Sequence, residues 1–535
     1  MTHKSACTAL SATAPKLSAN SKSAVSFKQL LFIFIAAAAA ITICSKSSPI
    51  YPFNDWGDAN CFMTVGKSML HGLVPYRDLY EQKGPLLYML HALAAIVCET
   101  TFTGVFFIEV IAASFFLFFS YKLIKLYVPS ADILLVPIIA AVVYSARSFC
   151  HGDSAEELCL PMFAFAIYTA IKSIRQEKLP TRAESVAVGI TSAFVLWIKY
   201  SMLGFYIGWF FVIAWQVIKH RNAKKLFGIA FWICVGILIP TVPILIYFSA
   251  NNALADLWRV YFCDNLFLYS NSVNHFSLLI FSKNMLSGIK NVFTENLIPA
   301  ILILTGLLLL IRKKDKTEFF SYLIMGVFTF LFVYGGGRHY NYYALIFSAF
   351  VPIGIVSVCK IIKRIAPKNI RAAKVFRIPH IFSAGIVCVL SIVFAFVMCG
   401  NTYLLRYDKS DMPQYKFAEI ISKTDNATLL NYGFLDGGFY TATGIVPNCK
   451  FFCNLNIKLD EIMETQNEFI KNGKVDFVVT SNSKLEAELY ECVATASIFY
   501  EGCEYEYRLY QLISEKNTSD NQLFRMNKIH IIKWR

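Results

Sequence analysis

Eleven apolar runs of near-bilayer length leave this chain few folds to choose from. They fall near 27–45, 104–126, 132–149, 156–172, 185–200, 202–218, 226–248, 295–311, 319–335, 341–359 and 380–400. A spanning helix needs about 20 residues, with a range of roughly 17–25. Inside hydrocarbon each backbone polar group must be paired within its own segment, so runs of this length and number predict a polytopic helical bundle. Composition agrees: 56% of residues are hydrophobic and 16% charged, against about 25% charged in an ordinary soluble domain.

The formal net charge of +15 would suggest nucleic acid in a soluble protein. Here the basic residues cluster in short segments between apolar runs: 172–182, 219–225, 312–316 and 360–377, with a weaker pair at Lys122 and Lys125. Such loops mark the cytoplasmic side of a membrane protein, and no nucleic-acid partner is expected. Lys4, Lys16, Lys22 and Lys28 precede LLFIFIAAAAAITIC, a pattern that could pass for a signal peptide. With so many spans following, it reads as an uncleaved first span behind a cytoplasmic tail, 1–26.

A twelfth run, PLLYMLHALAAIVC at 85–98, is short and holds His91. The basic loops all fall on one side only if this run does not cross. It is therefore expected to be an interfacial or half-inserted helix. Eleven spans then bring 46–103, 149–156, 250–294, 335–341 and 401–535 to the outer side. The region 27–400 forms the membrane module, and 401–535 reads as a small extracytoplasmic α/β domain. In that domain NATLLNYG, KVDFVVTS and YEYRLYQLI read as strands, and KLDEIMETQNEFIKNG as a helix ending at Gly473. Fifteen cysteines show no zinc-type spacing. Most sit in or beside apolar runs as small hydrophobes; Cys449, Cys453, Cys492 and Cys503 lie in the C-terminal region, where a disulfide has no readable pairing.

The expected outer loops carry the chemistry. The first, 46–103, balances Asp55, Asp58, Asp78 and Glu81 against Lys46, Lys67, Arg77 and Lys83, so it is not a topology loop. Within it DANCFMTVGKSMLHG has helical character, and Asp58 alone would be explained as a helix cap. The crowding of Arg77, Asp78, Glu81 and Lys83 in the same loop argues for a site, because ionisable groups at membrane depth are functional candidates. HGDSAEELCLP (151–161) brings Asp153, Glu156 and Glu157; Asp153 or Ser154 can equally cap the helix, closed by Glu156 or Glu157. GGGRHYNYY (335–343) offers Arg338, His339 and Tyr340. An interfacial aromatic belt explains its tyrosines, but not its three glycines. Lys199 in WIKYS reads as a snorkelling lysine. HExxH, P-loop, GxSxG and GxGxxG patterns are absent from the sequence.

A carboxylate base beside cations at headgroup level suits transfer of a group from a lipid phosphate. Cations would stabilise the leaving phosphate, and the base would take the acceptor's proton. On these motifs the chain resembles the GT-C superfamily of membrane glycosyltransferases. Within it the chain is similar to the family-39 group of protein O-mannosyltransferase-like and aminoarabinose transferase-like enzymes. The resemblance covers roughly 27–400 and rests on DWGDAN, GLVPYRDLYEQKGPLLY, DSAEELCLP and RHYNYY, the YRD…KGP stretch being the most specific.

The resemblance implies a GT-C-type fold, a polyprenyl-phosphate-linked sugar donor, inversion at the anomeric carbon and an extracytoplasmic active site. Asp58 matches the first-loop acidic motif. Many members have an Asp-Glu pair there, where this chain has Gly57 and Asp58 with Asp55 nearby, so the choice of base between Asp58 and Asp55 stays open. Lys83 matches a donor-phosphate lysine and Arg338 an outer basic position; these two, with Arg77 from the charged first loop, are the expected donor-phosphate residues. Asp153 and Glu156, with Glu157, Glu81, His339 and Tyr340, fall at the donor or acceptor site. No metal ligands and no required cofactor are expected. Expected partners are the lipid-linked sugar, membrane lipid, and a glycan, lipid or protein acceptor. A transporter or flippase is the main rival, although charges gathered at one face and the lack of internal symmetry favour an enzyme. A polysaccharide polymerase or ligase acting through the 250–294 loop, and a non-catalytic assembly protein, are the others.

Overall fold

The computed structural model describes residues 25–219, 221, 223–269, 277–365, 380–500 and 503–513. Nearly all of the expected cytoplasmic tail, most of the basic cluster 360–377 and the last residues of the C-terminal region lie outside the described residues.

The chain is a polytopic helical membrane protein with a small C-terminal sheet domain. Helix α1 (Phe27–Cys44) opens in a capping box: the Gln29 amide donates to the Ser26 hydroxyl, and the Gln29 side chain accepts from the Ser26 amide. It is followed by α2 (Gly57–Leu70), α3 (Pro85–Val97), α4 (Thr103–Tyr127), α5 (Leu135–Tyr144), α6 (Ala155–Gln176), α7 (Arg182–Lys199), α8 (Gly204–Lys219) and α9 (Ala223–Ala250). Large apolar side chains such as Ile35, Phe107, Phe115, Trp215, Phe231 and Ile246 stand exposed on helix sides. A soluble protein does not tolerate apolar surface on this scale; acyl chains cover it.

All eleven expected runs contain a helix, but not eleven uniform spans. Seven helices among the described residues are long and apolar enough to cross a bilayer, and one bent pair makes an eighth. Runs 132–149, 202–218 and 380–400 hold shorter apolar helices; the first gives way at Ser145 to a 3-10 turn, Arg147–Phe149. The bent pair corrects the sequence reading of 250–294 as a loop. That stretch is largely helical, with a π-helical segment Leu257–Tyr269 and a helix Leu278–Glu295 that meets Leu297–Ile311 at 106°. The break falls at buried Asn296, whose amide donates to the Ala344 carbonyl at 2.9 Å and the Ser348 hydroxyl at 3.2 Å. Helix α3 has 13 residues, about 20 Å of rise, short of a bilayer.

The C-terminal sheet has the order β1-β2-β4-β3, from β1 (Leu429–Asn431), β2 (Phe477–Ser481), β3 (Tyr490–Tyr500) and β4 (Cys503–Leu512). β1 and β2 are parallel, joined through the helix Glu461–Lys471, as a parallel crossover requires. β3 is the strand that sequence reading missed. Its Glu, Ala and Ser residues have weak strand preference, and antiparallel pairing to β4 along its length makes it a strand. Cys449 and Cys453 are buried, Cys492 and Cys503 exposed, and all four are free thiols. Buried apolar side chains run without a break from α1 to β4, so the domain is docked onto the bundle.

Candidate functional site

Three stretches of the sequence converge at the end of the bundle where the C-terminal domain sits. Asp58 lies in the first turn of α2, where the free amides of a helix start favour a carboxylate. Lys83 arrives on the loop before α3. That loop presses directly onto the end of α7: the Gly84 amide donates to the Ile198 carbonyl at 3.1 Å, and a Cβ on Gly84 would stand 2.0 Å from the Trp197 carbonyl oxygen. Only glycine allows this approach, and it carries Lys83 toward Lys199. The Lys83 ammonium stands 3.5 Å from the Asp58 carboxylate and lies over the Phe62 ring. Burial pushes the lysine pKa down, but the Asp58 and Glu81 carboxylates outweigh it and hold Lys83 above the usual lysine range.

Glu81 is buried and fixes the loop. It accepts from the Lys83 amide at 3.0 Å and from the Tyr88 hydroxyl. Lys199 pairs with Glu156 at 2.5 Å and lies over the Tyr343 ring at 3.8 Å. Arg338 donates to the Tyr269 carbonyl at 3.2 and 3.1 Å and stacks over that ring. Lys83, Lys199 and Arg338 all line one cavity of about 420 Å³, whose remaining wall includes Leu203, Ile207 and Phe332. Three cations therefore face a partly apolar slot.

Asp58 also accepts from the Tyr342 hydroxyl at 3.1 Å. Trp56 packs on Tyr342 at 5.4 Å and on His151 at 5.6 Å. His151 lines a second cavity of about 560 Å³, together with Arg147, Glu295, Asn341, Tyr403 and Arg406 among others. Asp58, Tyr342 and Trp56 line neither cavity, but their contacts link Lys83 on the first to His151 on the second.

Other expected site residues lie elsewhere. Asp55 is committed to a buried ion pair with Lys46 at 2.6 Å, with side-chain exposures of 5% and 0%. Arg77 does not line the cavity: it pairs with Asp78 at 2.7 Å and donates to the Asn251 carbonyl. Asp153 and Glu157 are also buried away from it. Asp153 holds His91 at 2.9 Å, and its amide donates to Glu109 and Glu157, each at 2.8 Å. Burial raises the Asp153 pKa, with the His91 charge opposing. Ser154, not Asp153, caps α6, accepting from the Glu157 amide. His339 donates to the Asn284 carbonyl, 2.9 Å away, and stacks on Tyr334. Tyr340 stacks on Tyr342. Sequence reasoning missed Glu109 and gave Lys199 too little weight. The signal for Glu109 was there: it is the one carboxylate in the apolar run 104–126. Among the described residues no group of three or more His, Cys, Asp or Glu side chains is set to hold a metal ion.

No family model and no curated protein matches the chain. Solved structures do. The crystal structure of ArnT from Cupriavidus metallidurans in the apo state is 11% identical, with a TM-score of 0.59 over 90% of this chain and 98% of that one. The same protein bound to undecaprenyl phosphate gives 11% identity and a TM-score of 0.58 over the same shares. At this identity the likeness concerns the fold. The chain has the fold of ArnT, in keeping with the polytopic helical bundle and small C-terminal domain expected from the sequence.

Proposed function

We propose that the protein is a membrane glycosyltransferase that moves a sugar from a polyprenyl-phosphate donor to the hydroxyl of an envelope glycan, lipid or protein. The observation that carries this reading is the convergence of Lys83, Lys199 and Arg338 on one cavity with apolar walls, with Asp58 next to Lys83. A phosphate with a prenyl chain matches that lining: cations for the head, Leu203, Ile207 and Phe332 for the first isoprene units. The solved complex of ArnT with undecaprenyl phosphate supports the same donor class on the same fold.

In the proposed reaction the acceptor approaches from the second cavity. Asp58 takes the hydroxyl proton as the oxygen attacks the anomeric carbon from the face opposite the phosphate. The sugar–phosphate bond breaks, its electron pair goes to the phosphate, and the sugar's configuration inverts. Lys83, Lys199 and Arg338 stabilise the charge gained by the leaving phosphate, without a metal ion. Asp58 suits the base better than Asp55, because the Lys46 ion pair holds Asp55 away from the donor cavity. Because the C-terminal domain packs on α2, site and domain share one side of the membrane, which the basic loops make extracytoplasmic.

The test is extraction of envelope glycans from a deletion strain. One monosaccharide should be missing, restored by the parent gene and not by Asp58→Asn. An unchanged glycan profile would remove the reading. A topology reporter at the C-terminus that reads cytoplasmic would overturn the orientation.

A further inference from the structure

Helix α2 has two working sides. One bears Asp58 and Phe62 and faces Lys83 and His91. The other is held by residues between Asp436 and Cys453 of the C-terminal domain. Thr64 donates to the buried Asp436 carboxylate at 2.6 Å. One turn on, Lys67 is wholly buried and donates to the Tyr440 and Ile445 carbonyls at 2.7 and 2.9 Å. Nearer the start of the helix the Cys61 and Cys453 sulfurs stand 3.7 Å apart. Positions 61, 64 and 67 lie on one side of the helix.

Asp436 is itself fixed. It accepts from the Asn431 side chain and the Gly438 amide, each at 2.9 Å. Gly438 has φ of +87°, and a Cβ there would lie 2.4 Å from the Phe53 ring and 2.8 Å from the Asn60 side chain. The turn can therefore sit against α2 only as glycine. The helix that presents Asp58 is short, and the membrane bundle holds only one of its sides.

We infer that the C-terminal domain is the alignment element for Asp58, with Thr64 and Asp436 as positioning residues. This rests on the reading of Asp58 as the base. Neither residue touches the cavity that would hold the donor, so their loss misplaces the base while leaving donor affinity in place. A displacement of about 1 Å at a reacting group can cost around a hundredfold in rate.

The experiment compares Thr64→Val, Thr64→Ser and Asp58→Asn in full-length protein. It measures the initial rate at which the sugar missing from the deletion strain reappears, per molecule of folded protein. The affinity of the purified proteins for undecaprenyl phosphate is measured alongside. Thr64→Val should lose about tenfold or more in rate, and Thr64→Ser, which keeps the hydroxyl, should return to within about threefold of the parent. Undecaprenyl phosphate affinity should stay within about twofold in both. Should Thr64→Val fail to accumulate, Asp436→Asn is scored in the same way. Parent-like transfer by the Thr64→Val or Asp436→Asn protein beside an inactive Asp58→Asn overturns the alignment role alone. Parallel loss of lipid binding overturns it too, because the effect is then general. Transfer by Asp58→Asn at the parent rate removes the base assignment, and this inference with it.

Discussion

The Asp58 carboxylate and the Lys83 ammonium stand 3.5 Å apart although 25 residues separate them in the chain. The contact joins the start of α2 to the loop before α3, and it sets a group able to take a proton beside one able to hold a phosphate. Either one alone would be unremarkable at a membrane surface.

Replacing Asp58 by asparagine keeps the shape and removes the base. Transfer should fall by about 10²–10⁴-fold while the protein inserts normally and binds undecaprenyl phosphate at least as well, since a negative charge beside the phosphate is gone. Rate per molecule in membranes is the readout, and undiminished turnover removes Asp58 from the role.

The cations can be separated by where they point. Lys83→Ala and Arg338→Ala should each weaken undecaprenyl phosphate binding by about tenfold to a hundredfold, the equivalent of roughly 1.5–3 kcal/mol for a hydrogen bond to a charged group. Arg77→Ala should leave it within about twofold, because that guanidinium is taken up by Asp78 and the Asn251 carbonyl. Titration of each purified variant with undecaprenyl phosphate decides. Equal effects at all three positions would mean a diffuse electrostatic surface in place of a built clamp.

Lys67 gives a pH signature of domain docking. Burial lowers its pKa from the ordinary 10.5 to about 8, with the Asp436 charge opposing. The unfolded chain therefore binds this proton more tightly than the folded one between about pH 8 and 10.5. Stability from this group rises with pH across that window and is least below it. The full effect is of order 3 kcal/mol. In detergent, the melting temperature of the parent relative to Lys67→Met should climb from pH 7.5 to pH 10. Parallel profiles would show that Lys67 is not buried as a charged group.

Chelation tests how the leaving phosphate is stabilised. With three basic side chains on one cavity, transfer in EDTA-washed membranes should stay within about twofold of the untreated rate. Full loss, restored by a divalent ion, would hand the phosphate charge to a metal.

Much of this molecule was legible in one dimension. Apolar length determines a membrane bundle, because a continuous apolar run of about 20 residues pairs its backbone in hydrocarbon only as a helix. Helices α2 and α3 and three of the four strands also follow from local pattern. The same is true of the stretches that carry Asp58, Lys83 and Arg338, since each is a charged island beside an apolar run. Which of those charges meet is another matter. Asp55 and Arg77 read as site residues as readily as Asp58 and Lys83 do, yet Lys46 and Asp78 take them up, while Lys199, a lone lysine in sequence, shares the cavity with Lys83 because the Gly84 crossing brings the Lys83 loop onto the end of α7. The bend at Asn296 and the grip of Asp436 on α2 are likewise invisible along the chain. Ion pairing and helix docking depend on distances of a few ångströms between segments far apart in sequence, and only the packed bundle sets those distances.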